Sequence, residues 1–179
     1  MKTIKDHIDI ILSSFHSKRD LDEAVFCVCS FAELVDYKSV GGDQSQKRKL
    51  LIASEIKNIQ SVTIRDYFTK LVKANEMWLF EPSHFADFNS ALKNIASETS
   101  VIDLKIAVDL KDDDIQEIAD YFSAKQQHKV ILNISVDKSL IGGAIIKKDN
   151  YIMDFSLKNK LSTLSTQWKK SIKTSKDNE

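Results

Sequence analysis

Apolar residues recur at helical spacing through the first hundred positions of the chain. Ile4, Ile8, Ile11, Leu12 and Phe15 fall on one face of a 3.6-residue repeat, and Thr3 before them can cap the helix. Asp20-Leu21-Asp22-Glu23 resembles a capping box with a carboxylate in place of the usual hydroxyl. It predicts a helix to about Tyr37, with Leu21, Ala24, Val25, Val28, Ala32 and Val35 inward. Gly41-Gly42-Asp43 breaks the pattern, which resumes from Lys47 to Lys57 around Leu50, Leu51 and Ile56. Thr63 opens the next helix, carrying Ile64, Tyr67, Phe68, Leu71 and Val72. After a join at Asn75-Glu76, Pro82 suits a first helical turn, where its missing N–H costs nothing. That helix carries Phe85, Phe88, Leu92 and Ile95 and ends near Ser97.

The period then changes from 3.6 to 2. Ser100 to Val108 places Ile102, Leu104, Ile106 and Val108 on one face and Asp103, Lys105 and Asp109 on the other, which is a half-buried strand. Asp112-Asp113-Asp114 then starts a helix with Ile115, Ile118, Ala119 and Phe122 inward, and its carboxylates complement the helix dipole. Lys129 to Val136 alternates again through Val130, Leu132, Ile134 and Val136. Asp137 to Leu140 reads as a turn, and Ile141 to Lys147 as a strand interrupted by Gly142-Gly143. Lys148-Asp149-Asn150 is a hairpin turn into a short strand at Tyr151 to Met153. A last helix carries Leu157, Leu161, Leu164, Trp168 and Ile172 on a stripe expected to pack on the sheet. The change of period divides the chain into a helical bundle over residues 1–98 and a small α/β domain over 99–179, a βαβ unit plus a hairpin and a C-terminal helix with a basic tail. The fold class is mostly α.

Composition supports this reading. Of 179 residues, four are Gly and one is Pro, where ordinary usage would give roughly 12%, or about 21 residues. Such scarcity excludes collagen-like sequence, flexible linkers and a turn-dense β-sandwich. Lys+Arg and Asp+Glu both number 26, so the chain is not built for bulk capture of nucleic acid. No apolar run reaches the roughly 18 residues of a membrane span. The first residues have no targeting character, so a cytoplasmic bacterial-type chain is expected. Charge is unbalanced in one place: residues 155–176 hold six Lys and no acid. Cys27 and Cys29 stand two apart in a helical pattern, pointing about 200° from one another. They can neither pair nor share a metal.

Motifs with chemical meaning are few. Gly41-Gly42-Asp43-Gln44-Ser45-Gln46-Lys47 lacks the spacing of a phosphate loop and follows no strand, so a plain inter-helix turn is the better reading. Glu81-Pro82-Ser83-His84 has the Glu-x-x-His spacing of di-iron bundles, but such sites need a second copy and two more glutamates. A surface histidine beside a dipole-compensating Glu is favoured. Asp112 to Asp114 fan out around a helix start and read as capping. His7, His16, His84 and His128 lie in unrelated segments, so no nucleophile relay can be assembled. No catalytic, metal or cofactor residue is assigned. The Lys-rich end could face solvent, an acidic partner helix, phosphates or an anionic membrane.

One stretch carries a resemblance. Ile134-Ser135-Val136-Asp137-Lys138-Ser139-Leu140-Ile141-Gly142-Gly143-Ala144-Ile145-Ile146 is followed by Tyr151-Ile152-Met153-Asp154-Phe155-Ser156-Leu157-Lys158-Asn159-Lys160-Leu161. Both halves resemble, at the right separation, the C-terminal signature of the delta subunit of F-type ATP synthases, whose mitochondrial counterpart is the oligomycin-sensitivity-conferring protein. Asn75-Glu76-Met77-Trp78-Leu79-Phe80 is similar to the family's short segment between its last two bundle helices. Lys138 stands where the family usually has Pro, costing the turn a fixed φ worth about 0.4–1 kcal/mol. Phe155 replaces a Gly, and the family's N-terminal motif is not recognisable in Ile8 to Phe15.

The resemblance implies a six-helix N-terminal bundle and a small C-terminal α/β domain. It implies a non-catalytic stator protein at the cytoplasmic face of the bacterial membrane. The bundle would hold the N-terminal segments of the alpha subunits, and the C-terminal domain the C-terminal ends of the b subunits. Helix-in-groove docking is the expected mode at the bundle, with the stripe Ile4, Ile8 and Ile11 and the helix bearing Ile64, Phe68 and Leu71 as candidate groove walls. The signature residues Asp137, Ser139, Leu140, Ile141, Gly142, Gly143, Asp154, Ser156 and Leu161 read as makers of the fold: turn formers, close-approach glycines, and caps at Asp154 and Ser156. Two other readings stand beside this one. One is a stand-alone helical adaptor. The other is a membrane- or RNA-binding protein acting through the basic C-terminus.

Overall fold

The structure is a computed structural model that describes residues 2–37 and 45–176. The expected break at Gly41-Gly42-Asp43 and the side chain of Ile172 lie outside the described residues. The element order is α1 (Ile4–Ser13), α2 (Lys18–Tyr37), α3 (Ser45–Ile56), α4 (Val62–Lys73), a 3-10 helix (Met77–Phe80), α5 (Pro82–Glu98), β1 (Ser100–Ile106), α6 (Asp112–Gln126), β2 (Val130–Val136), a second 3-10 helix (Lys138–Leu140), β3 (Ala144–Lys148), β4 (Tyr151–Asp154) and α7 (Leu157–Lys176). The chain forms two compact units that divide between Ser100 and Val101. The fold is mostly helical with a four-stranded mixed sheet.

In the first unit the helix starts follow local chemistry. The Asp6 N–H donates to Thr3 Oγ1 (3.2 Å) and the Thr3 N–H to Asp6 Oδ2 (2.7 Å), a reciprocal capping box at α1. α2 starts earlier than the acidic run predicts. Ser17 is its cap, its Oγ accepting from the Asp20 N–H at 3.1 Å, so Asp20 is the third helical position and not the opener. Pro82 occupies the first turn of α5. The core is aromatic: Phe31, Phe68, Phe80, Phe85 and Phe88 are all buried, with ring centroids 5.3–6.3 Å apart in the contacting pairs. α5 packs most extensively on α2 and then on α1. α3 turns differently from the expected face: Leu50 and Leu51 are exposed, and Ile52 and Ile56 enter the core. Arg48 ties α3 back by donating to the Phe80 carbonyl (2.8 Å).

In the second unit the strand order is β2-β1-β3-β4. β1 pairs antiparallel with β3 (Leu104 opposite Ile146) and β3 with β4 (Ile146 opposite Met153). α6 links β1 to its other neighbour β2 and covers one face. Ile102, Leu104, Ile106, Ala119, Val130 and Leu132 form the core there. The Lys111 N–H donates to Asp114 Oδ2 (3.3 Å), so Asp114 of the acidic triplet caps the start of α6. Two strand predictions are corrected. β1 ends at Ile106, and Val108 turns out to solvent. The glycine pair precedes β3 instead of interrupting it, because Gly143 has φ +78, outside the extended region. The expected packing of the α7 stripe on the sheet is corrected too: Leu157, Leu161, Leu164 and Trp168 are all exposed.

Candidate functional site

The signature residues assemble a joint between the sheet and α7. At the end of β2, the Asp137 N–H donates to the Ile106 carbonyl (2.7 Å), which anchors the turn to β1. The Ser139 N–H donates to Asp137 Oδ1 (3.0 Å), starting the 3-10 helix. Leu140 is buried and pins the turn from inside. Ile141, 63% exposed, sits at φ +67, ψ −40, a costly conformation for a β-branched residue. Hydrogen bonds then stitch the glycines to the far side of the hairpin. The Phe155 N–H donates to the Ala144 carbonyl (2.8 Å), and the Leu157 N–H to the Gly142 carbonyl (2.9 Å).

Glycine is needed at this joint for space as well as for φ. A Cβ on Gly143 would stand 2.3 Å from the Phe155 carbonyl oxygen. One on Gly142 would meet only the side chain of Leu157, its Cδ1 end at 2.7 Å. The Ser156 N–H donates to Asp154 Oδ1 (2.8 Å), and the buried Ser156 Oγ accepts from the Asn159 N–H (3.2 Å) as the cap of α7. Hydrogen bonds from Ser139 and Ser156 hold the Asp137 and Asp154 carboxyls below the ordinary carboxylate range, with Lys158 adding a smaller attraction to each. The joint fixes where α7 leaves the sheet, and α7 contacts the 3-10 turn.

From that joint α7 presents Leu157, Leu161, Leu164 and Trp168, spaced four, three and four residues apart. This is a heptad seam. Leu157 lies against Gly142, while Leu161 and Trp168 stand in the open, Trp168 71% exposed. Lys158 and Lys160 flank the seam.

The candidate groove walls in the helical unit have a different fate. Ile8, Ile11, Ile64, Phe68 and Leu71 are buried and Ile4 is half-buried. The five buried side chains belong to the unit's own core, and Ile4 keeps part of its surface open. What lies open instead is an apolar pocket of about 170 Å³ between α2 and the turn after α3. Phe26, Ser30, Phe31, Leu34 and Ile59 line it, and Phe26 is 68% exposed. Sequence reasoning missed it. The available signal was a pair of large apolar residues, Phe26 and Leu34, lying off the inward stripe of a helix whose core face was already full.

The remaining candidates stay apart. Cys27 and Cys29 are both free, and the Cys29 Sγ lies 3.3 Å from Asn89 Oδ1. Glu81 Oε2 lies 3.2 Å from His84 Nδ1 at the exposed start of α5. His7 is fully buried, and burial pushes its imidazole below the usual value. Among the described residues no three His, Cys, Asp or Glu side chains are placed to hold a metal ion. None of their helices is long and apolar enough to cross a membrane.

The chain is similar to known proteins over most of its length. A family model described as ATP synthase delta (OSCP) subunit matches residues 19–167. The chain is 25% identical over 140 residues to the ATP synthase subunit delta of Wigglesworthia glossinidia brevipalpis, covering 77% of each chain. It is 26% identical over 143 residues to that of Natranaerobius thermophilus, covering 80% of this chain and 76% of the relative. Against that of Xanthobacter autotrophicus it is 24% identical over 147 residues, covering 82% and 73%. The family match spans both units, from the first turn of α2 to the exposed seam of α7, and takes in the whole signature joint; the chain belongs to the ATP synthase delta (OSCP) subunit family.

Proposed function

We propose that the chain is a non-catalytic component of the peripheral stalk of a proton-translocating F-type ATP synthase. In this role it links the alpha subunits of the catalytic head to the membrane-anchored b subunits. It works at the cytoplasmic face of the bacterial cell membrane, attached through the complex, and needs no cofactor or nucleic acid. Residues 1–98 act as the family's N-terminal helical bundle, with five α-helices among the described residues and the 3-10 helix at Met77–Phe80 as the short segment before α5. They hold N-terminal segments of alpha. Residues 99–179 bind the C-terminal ends of b. Both docks must resist torque, which calls for interfaces of roughly 1,200–2,000 Å².

The observation that carries the reading is α7: an exposed heptad seam, flanked by lysines without an acid, aimed by the signature joint. Such a helix fits an apolar, acidic partner helix, the chemistry this reading assigns to b. On the helical unit, the pocket beside Phe26 and Leu34 takes the place of the expected groove walls as the seat for an amphipathic alpha segment. The adaptor reading shares these surfaces and differs only in its partners.

The test is deletion of residues 137–179 in the assembled enzyme. The expected result is a catalytic head that detaches from the membrane while its soluble ATP hydrolysis persists. A head that stays membrane-bound overturns the proposal. A full-length chain that binds vesicles or RNA with steep salt dependence, and co-purifies with neither alpha nor b, replaces it with the reading through the basic C-terminus.

A further inference from the structure

His7 is a polar side chain with no access to solvent, set where α1 meets α4, the turn after α4 and the 3-10 helix. Its Nδ1 lies 2.6 Å from Tyr67 Oη on α4. Its Nε2 faces Glu76 Oε2 at 3.7 Å, and neither of those atoms has a hydrogen-bond partner or contact with solvent. The Trp78 ring lies 5.5 Å from the imidazole, and the His84 ring, with Glu81 beside it, lies 5.4 Å from that of Trp78. On α1 itself the charged neighbours are Asp6 and Lys2. One histidine thus touches three consecutive segments through both ring nitrogens and one ring face.

The geometry selects a tautomer. Tyr67 keeps its proton, because burial and the Glu76 carboxylate push its hydroxyl up to about 12. If His7 Nδ1 donated to Tyr67, the bare lone pair of Nε2 would face a carboxylate. If Tyr67 donates to Nδ1, the Nε2–H points at Glu76 and both contacts are attractive. The neutral Nε2–H form therefore suits the site best, Nδ1 accepting from Tyr67 while Nε2–H faces the Glu76 carboxylate beyond hydrogen-bond distance. Protonation at Nδ1 removes the acceptor that Tyr67 needs and places a cation in a pocket walled by Trp78 and the helical core. Burial then outweighs the pull of Glu76, so the imidazole lies below its ordinary 6.5.

We propose that His7 is a proton-sensitive pin for α1: neutral, it fastens the first helix to α4 and the turn at Glu76, and protonated, it releases that helix while the aromatic core stays closed. A folded state that favours the neutral ring is fully stabilised above pH 6.5 and loses that stability as pH falls toward the folded value. The aromatic cluster of Phe31, Phe68, Phe80, Phe85 and Phe88 comes from α2, α4, the 3-10 helix and α5, so it keeps its mutual packing when α1 and its Ile8 and Ile11 leave.

The experiment is hydrogen exchange on the full chain at a series of pH values from about 7.5 to 5, corrected for intrinsic rates, with a parallel NMR titration of the His7 ring. The expected result is a loss of protection of about tenfold per unit of histidine shift in α1 amides, with α2 amides unchanged. His7→Gln, which keeps a donor and an acceptor but cannot titrate, is expected to flatten the response. Should that variant fail to fold, Glu76→Gln serves: Glu76 is 32% exposed, and removing its charge is expected to move the α1 transition to lower pH. A His7 titration at or above 6.5, α1 protection that rises or holds on acidification, or an unmoved transition in Glu76→Gln would each overturn the proposal.

Discussion

Gly142 and Gly143 are neighbours with different reasons to be glycine, and mutation should separate them. At Gly143 an added methyl would meet a backbone oxygen at a positive φ. Gly143→Ala is expected to cost more than about 1 kcal/mol in urea denaturation. Gly142→Ala, which meets the mobile end of Leu157, is expected to cost clearly less. At the same joint Ser156→Ala removes a cap and is expected to fray the start of α7 at about 1 kcal/mol, visible as lost exchange protection at Asn159. The Asp137 and Asp154 carboxyls are held below their usual 3.8. They stabilise the folded state above that pH, and their contribution is lost as pH falls below it. Acidification into that range should open the joint before the helical core, as read by NMR of the Ser139 and Ser156 amides. Much of this was legible, because Thr3, Asp137, Asp154 and Ser156 announce themselves by side chains that compete for backbone N–H groups. Ile141 was not legible, since nothing in a β-branched residue signals a left-handed backbone. It is held there by the pinned Leu140 on one side and the stitched glycines on the other.

At the scale of elements, hydrophobic periodicity located helices and strands well and partners poorly. It distinguishes an apolar face without saying what covers it. The stripe on α7 and the stripe on α4 look alike as patterns, yet one is exposed and the other buried. Mutation should tell them apart. Phe68→Ala, deep in the aromatic cluster, is expected to cost about 3–5 kcal/mol in urea denaturation. Leu161→Asp on α7 is expected to change stability by no more than about 0.5 kcal/mol. Under the proposed function it should weaken capture of a peptide from the C-terminal end of b at least tenfold, while Phe26→Ser on α2 should weaken alpha binding alone. α3 shows the limit of the method. Leu50, Leu51, Ile52 and Ile56 cannot all face one way, and the tie from Arg48 to the Phe80 carbonyl helps fix the helix's rotation.

At the scale of the whole molecule, each unit has its own core, aromatic in the first and aliphatic in the second. Residues 1–100 made alone should therefore keep their helicity and unfold cooperatively, which circular dichroism with urea would check. A non-cooperative melt would show that the second unit is needed to complete the first. The division was legible in the change from a 3.6 to a 2 period after Glu98, because burial on one face of a strand and on one stripe of a helix leave different marks.

The charge of α7 has a consequence for the free protein before it meets anything. A heptad seam this open invites its own kind, and two copies could zip together along Leu157, Leu161, Leu164 and Trp168. Lys158 and Lys160, beside the seam, oppose it, since pairing one α7 with another brings like charges to the flanks of that seam. The free chain is thereby kept apart from its twins and available to an acidic helix. Raising ionic strength should relax this guard, so that sedimentation of the isolated chain shifts from monomer toward dimer as salt is added.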